Sequence, residues 1–122
     1  MTTYKHLGFE VRDQVATLTL NNPSARNALS ADMRLEMEDV MTRIRKDDQV
    51  RAVILTGAEG HFCAGGDIRN MSTSPRDPAT WRQSMSRLHD NLMPLMTLDR
   101  PLIAAVDGVA YGAGFSFALM AD

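Results

Sequence analysis

Two stretches of the chain repeat one context, and that repetition limits the possible folds more than any other feature. "VRAVILTG", Val50 to Gly57, and "PLIAAV", Pro101 to Val106, are short, continuous apolar runs. Runs of this kind read as strands buried on both faces, the habit of a parallel sheet. Each is followed by a glycine-rich loop, "GHFCAGGD" after the first and "DGVAYGAG" after the second, and each loop opens a helix. Strand, loop and helix in that order, twice over, predict parallel crossover units of an α/β fold.

The flanking segments fit that frame. In "FEVRDQVATLTL", Val15, Thr17 and Thr19 alternate with Ala16, Leu18 and Leu20, which predicts a hairpin with "RDQ" at its turn. "NNPSARNALS" breaks the regularity. Ser30 is placed to cap a helix running to about Lys46, with Met33, Met37, Val40, Met41 and Ile44 at helical spacing. Asp32 at its start and Arg43, Arg45 and Lys46 at its end complement the helix dipole. Trp81, Met85, Leu88, Leu92 and Leu95 trace a second helical stripe of core or subunit contacts, which Pro94 is expected to kink or end. "STSPRDPAT" before it reads as a mobile surface segment.

Composition narrows the function classes. A chain of 122 residues, 44% hydrophobic and 23% charged, suits at most one globular domain with a real core. A net charge of −2 without a basic stripe argues against nucleic acid as a partner. The single cysteine, Cys63, excludes a disulfide within the chain and fits a reducing compartment. The N-terminus has no apolar leader and no run approaches membrane length, so a soluble, cytoplasmic protein is expected. No His or Cys stands at ligand spacing with another, so no metal is expected. Cys63 has no base nearby and reads as a buried, inert thiol. The nine methionines read as packing.

What chemistry, then, uses loops whose main asset is backbone? Ligands of parallel α/β folds sit at the carboxyl ends of strands, where both loops lie. Each loop can direct an N–H from a helix N-terminus into the gap between them. One N–H from each would hold a single oxygen, an oxyanion hole made of main chain. Small residues leave room for the substrate's approach. A structural reading stands beside this one, since glycines also permit close helix–strand packing. A phosphate loop does not fit: "GVAYGAG" lacks the G-x-G-x-x-G spacing, and no GK[ST] follows either loop.

At these residues the sequence resembles the enoyl-CoA hydratase/isomerase (crotonase) family. "ARNALS", "FCAGGDI" and "PLIAAVDGVAYGAGFSFALMAD" follow the family's order and spacing over nearly the whole chain. The resemblance implies a crotonase-like (ββα spiral) fold, here incomplete, with residues 1–122 forming the N-terminal part of the domain. It implies an acyl-CoA substrate, with coenzyme A as part of the substrate and no separate cofactor. It puts the oxyanion donors at Gly66 and Ala113. Ala64, Gly65, Gly66, Asp67 and Ile68 would line the adenine and thioester region, Ala25 and Arg26 would run along the coenzyme A phosphates and adenine, and Gly112 and Ser116 would contact the substrate, Ser116 as a hydrogen-bond donor or else as a serine on a buried helix face. Arg69 is a further candidate for a phosphate or else a solvated charge, Asp67 a candidate cap for a short helix "IRNM" with a direct catalytic role as the lesser option, and His61 a structural or surface histidine. The full-length protein would form trimers or hexamers.

Two departures from the family pattern bear on the reaction. Hydratases of the family use two glutamates, and the first falls where this chain has Ser116, a poor general base. The second would lie beyond Asp122. The resemblance therefore implies enolate chemistry with an acid–base carboxylate outside these residues. The alternatives are a fragment or paralogue that binds coenzyme A or assembles without turnover, and, further off, a nucleotide-binding α/β module.

Overall fold

A computed structural model describes residues 3–68 and 77–122. Strand β1 (Leu7–Arg12) and strand β2 (Val15–Leu20) form the expected antiparallel hairpin, with Leu7 opposite Leu20 and Arg12 opposite Val15. The turn residues Asp13 and Gln14 have φ of +50° and +67°. Two successive positive φ values give the mirror-image turn whose twist matches that of its strands. Ala16, Leu18 and Leu20 are fully buried on one face of β2.

Helix α1 (Ala31–Lys46) packs its Met33, Met37, Val40, Met41 and Ile44 stripe onto that face. The Ser30 hydroxyl accepts a hydrogen bond from the Met33 N–H at 3.1 Å, which satisfies one of the free donors of the first turn. The chain then returns as β3 (Ala52–Gly57), parallel to β2, and again as β4 (Leu102–Ala104), parallel to β3. The sheet order is β1-β2-β3-β4. Between the last two strands runs helix α2 (Pro78–Met96), capped by Asp77, whose carboxylate accepts from the Thr80 N–H at 3.0 Å. Helix α3 (Ala113–Met120) follows β4.

Three expectations change. Only one face of β3 is sealed: Val53 and Leu55 are fully buried, while Ala52 and Ile54 are half-buried. Strand β4 is three residues long, and Ile103 on it is 51% exposed. Continuous hydropathy cannot distinguish a central strand from an edge strand. The stripe on α2 is buried only near its end: Leu95 is in the core, whereas Trp81 and Met85 are exposed. Pro94, expected to kink or end helix α2, lies inside it two residues before its last residue. Its last turn is held to α1 by Arg45, whose guanidinium donates to the Pro94 carbonyl at 2.8 Å and to the Thr97 hydroxyl at 2.6 Å. The expected mobile segment falls largely outside the described residues, as do Arg69 and most of "IRNM".

Candidate active site

The site is built where three loops meet. The first links β2 to α1. Residues Pro23–Ala25 make one tight helical turn, and Arg26 and Asn27 then take left-handed conformations, with φ of +51° and +59°. This pair reverses the chain so that Ala28 and Leu29 run beside the second loop, residues 58–68. The Ala64 N–H donates to the Arg26 carbonyl at 3.0 Å, and the Leu29 N–H donates to the Gly65 carbonyl at 2.7 Å.

Leu29 and Gly66 form a parallel bridge. In such a bridge the flanking peptide groups face the partner strand, so the Gly66 N–H is turned away from Leu29. The third loop, residues 105–112, lies on the other side. The Phe62 and Cys63 N–H groups both donate to the Val109 carbonyl, at 3.1 and 2.9 Å, and the Tyr111 N–H donates to the Cys63 carbonyl at 3.0 Å.

Close contact between the second and third loops explains two of the glycines. Gly65 has φ of +94°, and a side chain there would stand 2.8 Å from the Tyr111 carbonyl oxygen and 3.5 Å from the Ala113 nitrogen. Gly114 lies against Cys63, and a Cβ on it would collide with the Cys63 carbonyl. Both positions exclude any side chain. The result brings the end of the second loop to the first turn of α3. Ala113 is the first residue of that helix, so its N–H has no partner within the helix. No hydrogen bond within the described residues uses the Gly66 or the Ala113 N–H. The second loop thus carries one backbone donor, at Gly66, and the start of α3 another, at Ala113.

The first and second loops line an open pocket of about 420 Å³, formed by Ser24, Ala25, Arg26, Ala28, Ala64, Gly66, Asp67 and Ile68. Six of the residues singled out from the sequence therefore share one wall. Gly65 is buried beneath them, and Gly112 and Ala113 lie across from them. Ser116 does not join this group. Its hydroxyl is directed back along α3 to the Gly112 carbonyl at 3.4 Å, and it lines a second cavity of about 340 Å³ with Met96, Leu119 and Met120.

Cys63 is buried, and burial pushes its thiol above the ordinary range despite a hydrogen bond from the Gly65 N–H. A buried neutral thiol is a weak nucleophile, as expected. Among the described residues, no group of His, Cys, Asp and Glu is arranged to hold a metal ion, and no helix is long and apolar enough to cross a membrane.

One residue was missed. Asn27 is completely buried at the junction of the first two loops. Its side-chain N–H group donates to the Ala58 carbonyl at 3.0 Å and the His61 carbonyl at 2.7 Å, and its oxygen accepts from the Asn22 N–H at 2.9 Å. The signal in the sequence was an asparagine within a Pro-bearing loop, a residue type that tolerates left-handed backbone.

Comparison with known proteins places the chain in context. The family described as Enoyl-CoA hydratase/isomerase matches residues 10–122. The protein named Probable enoyl-CoA hydratase EchA14 of Mycobacterium tuberculosis is 38% identical over 122 residues, covering 100% of this chain and 47% of the relative. The 1,2-epoxyphenylacetyl-CoA isomerase of Escherichia coli is 38% identical over 114 residues, covering 92% of this chain and 44% of the relative. The crystal structure of an enoyl-CoA hydratase/isomerase from Xanthobacter autotrophicus superposes with a TM-score of 0.93 at 33% identity, covering 98% of this chain and 45% of that one. The chain spans about half the length of the curated relatives it matches.

Proposed function

The chain belongs to the enoyl-CoA hydratase/isomerase family, and from that premise we propose that the complete protein acts on an acyl-CoA thioester through an enolate. The thioester oxygen lies between the N–H groups of Gly66 and Ala113. Proton removal at the α-carbon, or water addition at the β-carbon of an enoyl thioester, drives an electron pair onto that oxygen. The two donors stabilise the charge where it develops, and their positions are fixed before the reaction begins. The observation that carries this reading is the contact of the two loops at Gly65, together with two backbone donors of separate origin, Gly66 and Ala113, that no hydrogen bond within the described residues uses.

Coenzyme A occupies the adjoining pocket, with Arg26 toward its phosphates, because a guanidinium matches phosphate oxygens in geometry and charge. Coenzyme A enters as part of the substrate, and the reaction needs no separate cofactor. The acid–base carboxylate belongs to another part of the protein, since Ser116 supplies none. A cytoplasmic trimer or hexamer completes the reading.

Gly66→Pro in the complete protein removes one donor without touching a side chain. Turnover of enoyl-CoA substrates should fall by about 10²–10³-fold, the usual cost of one oxyanion donor. An unchanged rate would refute the role. A second reading, coenzyme A binding without turnover, is favoured only by the serine at position 116. Failure of the complete protein to exchange α-carbon protons of bound thioesters with deuterium would establish it.

A further inference from the structure

We infer that Asn27 is a positioning residue for the oxyanion hole: its carboxamide fixes the loop that carries Gly66 against the loop that carries Arg26. The inference rests on the reading of Gly66 and Ala113 as carbonyl donors. Asn27 is 0% exposed and touches no pocket surface, so it acts only through its neighbours.

The geometry makes the case. The Asn27 side-chain N–H group bridges two carbonyls three residues apart, Ala58 and His61, at the point where the chain leaves β3 and turns toward the site. Its oxygen holds the Asn22 N–H, and its own N–H donates to the Asn22 carbonyl at 2.9 Å. One buried amide thereby closes both loops on each other. Two strands of backbone contact continue from it: Ala64 to Arg26, and Leu29 to Gly65. Gly66 is the next residue. The loop between Ala58 and Gly66 packs against residues 109–111 on its far side, so its freedom is limited from two directions.

Removing the amide takes its donor from the part-buried His61 carbonyl and leaves the Ala58 carbonyl only the long 3.5 Å bond from the His61 N–H, a loss the loop relieves by shifting. The tolerance for misplacement at a reacting centre is small, of order 100-fold in rate for a displacement of about 1 Å. A donor displaced from the developing oxyanion loses its effect on the reaction while the thioester still binds.

The test uses the complete protein with Asn27→Gly and Asn27→Asp. Glycine keeps the left-handed backbone and deletes the amide. Aspartate keeps the shape and the acceptor toward Asn22 but deletes the donors. Para-dimethylaminocinnamoyl-CoA serves as the probe, because hydrogen bonds to its thioester oxygen move its absorption band to the red. The shift per bound probe is insensitive to a fraction of unfolded protein, so it separates positioning from bulk stability.

The expected result is a red shift in the parent protein that is largely lost in either variant. Probe affinity should change by less than about threefold while kcat falls by about 10²-fold. A variant that folds and retains both the shift and kcat within twofold overturns the role of Asn27 alone. A parent protein that binds the probe without any shift overturns the carbonyl-donor reading and this inference with it. If neither variant folds, Asn27 serves folding rather than positioning, and the inference fails.

Discussion

Ala113→Pro in the complete protein offers a sharp test of the two-donor site, because the structure predicts a large chemical effect and a small structural one. Proline removes the N–H, and at the first residue of a helix that N–H has no intrahelical partner to lose. The fixed φ of proline suits this position. Its predecessor must avoid the α region, and Gly112 already does so with ψ of −121°. Stability should therefore change by less than about 1 kcal/mol, read from denaturant unfolding. The chemistry should lose one of two donors, about 2.7–4 kcal/mol of transition-state stabilisation. The ring also fills space that the carbonyl oxygen would enter. Steady-state kinetics with an enoyl-CoA substrate should show kcat/KM down by at least 10²-fold, while Ala113→Gly, which keeps the N–H, stays within about threefold. A folded proline variant with kcat/KM within threefold of the parent would refute the assignment of Ala113.

Three further outcomes follow from the packing and the titratable groups. Arg100 donates through its guanidinium to the carbonyls of Ile44, Asp47 and Val50 at 2.6, 2.9 and 2.9 Å, and so closes the C-terminal end of α1. Arg100→Ala should cost about 2–3 kcal/mol in denaturant unfolding, given the strength of charged hydrogen bonds, and a loss under about 0.5 kcal/mol would contradict this role. The Tyr4 hydroxyl is pushed up to about 12 by burial and by its hydrogen bond to Asp39 at 2.5 Å. Its protonated form is thus favoured by folding, and its contribution is complete below pH 10 and lost as pH rises toward 12. Tyr4→Phe should flatten that segment of the stability–pH curve, and an unaltered slope would count against the pairing. Cys63, buried and with a raised thiol, should react with iodoacetamide far more slowly in the folded protein than in urea, with labelling measured by mass. Equal rates would show that the loop opens freely.

Much of the architecture was legible before any coordinates. Hydrophobic period located the hairpin and the α1 stripe, and a continuous apolar run located the strand at Ala52–Gly57, although only one of its faces is sealed. Local chemistry marked the Ser30 cap, since a hydroxyl three residues before the first residue of an apolar stripe has a free N–H to meet. The glycine loops were visible as residue types, and the resemblance supplied their pairing. What the sequence did not disclose depends on contacts between distant segments. Ile103 reads as buried, yet it is exposed, because burial depends on what packs on that face and not on the residue's own hydropathy. The cavity that Ser116 lines with Met96, Leu119 and Met120 joins two helices, so no local pattern announces it.

The amino-acid sequence by itself determined the α/β order of elements, the two glycine loops and the family. Each of these is written in nearest-neighbour pattern or in residue type. Tertiary structure alone decided that Gly65 and Gly114 must lack side chains, because the surfaces that exclude a Cβ belong to Tyr111 and Cys63 from another loop. It also decided the task of Asn27. Its partners Ala58 and His61 are backbone carbonyls, which every residue possesses, so no side-chain pattern in the sequence can announce such a bond.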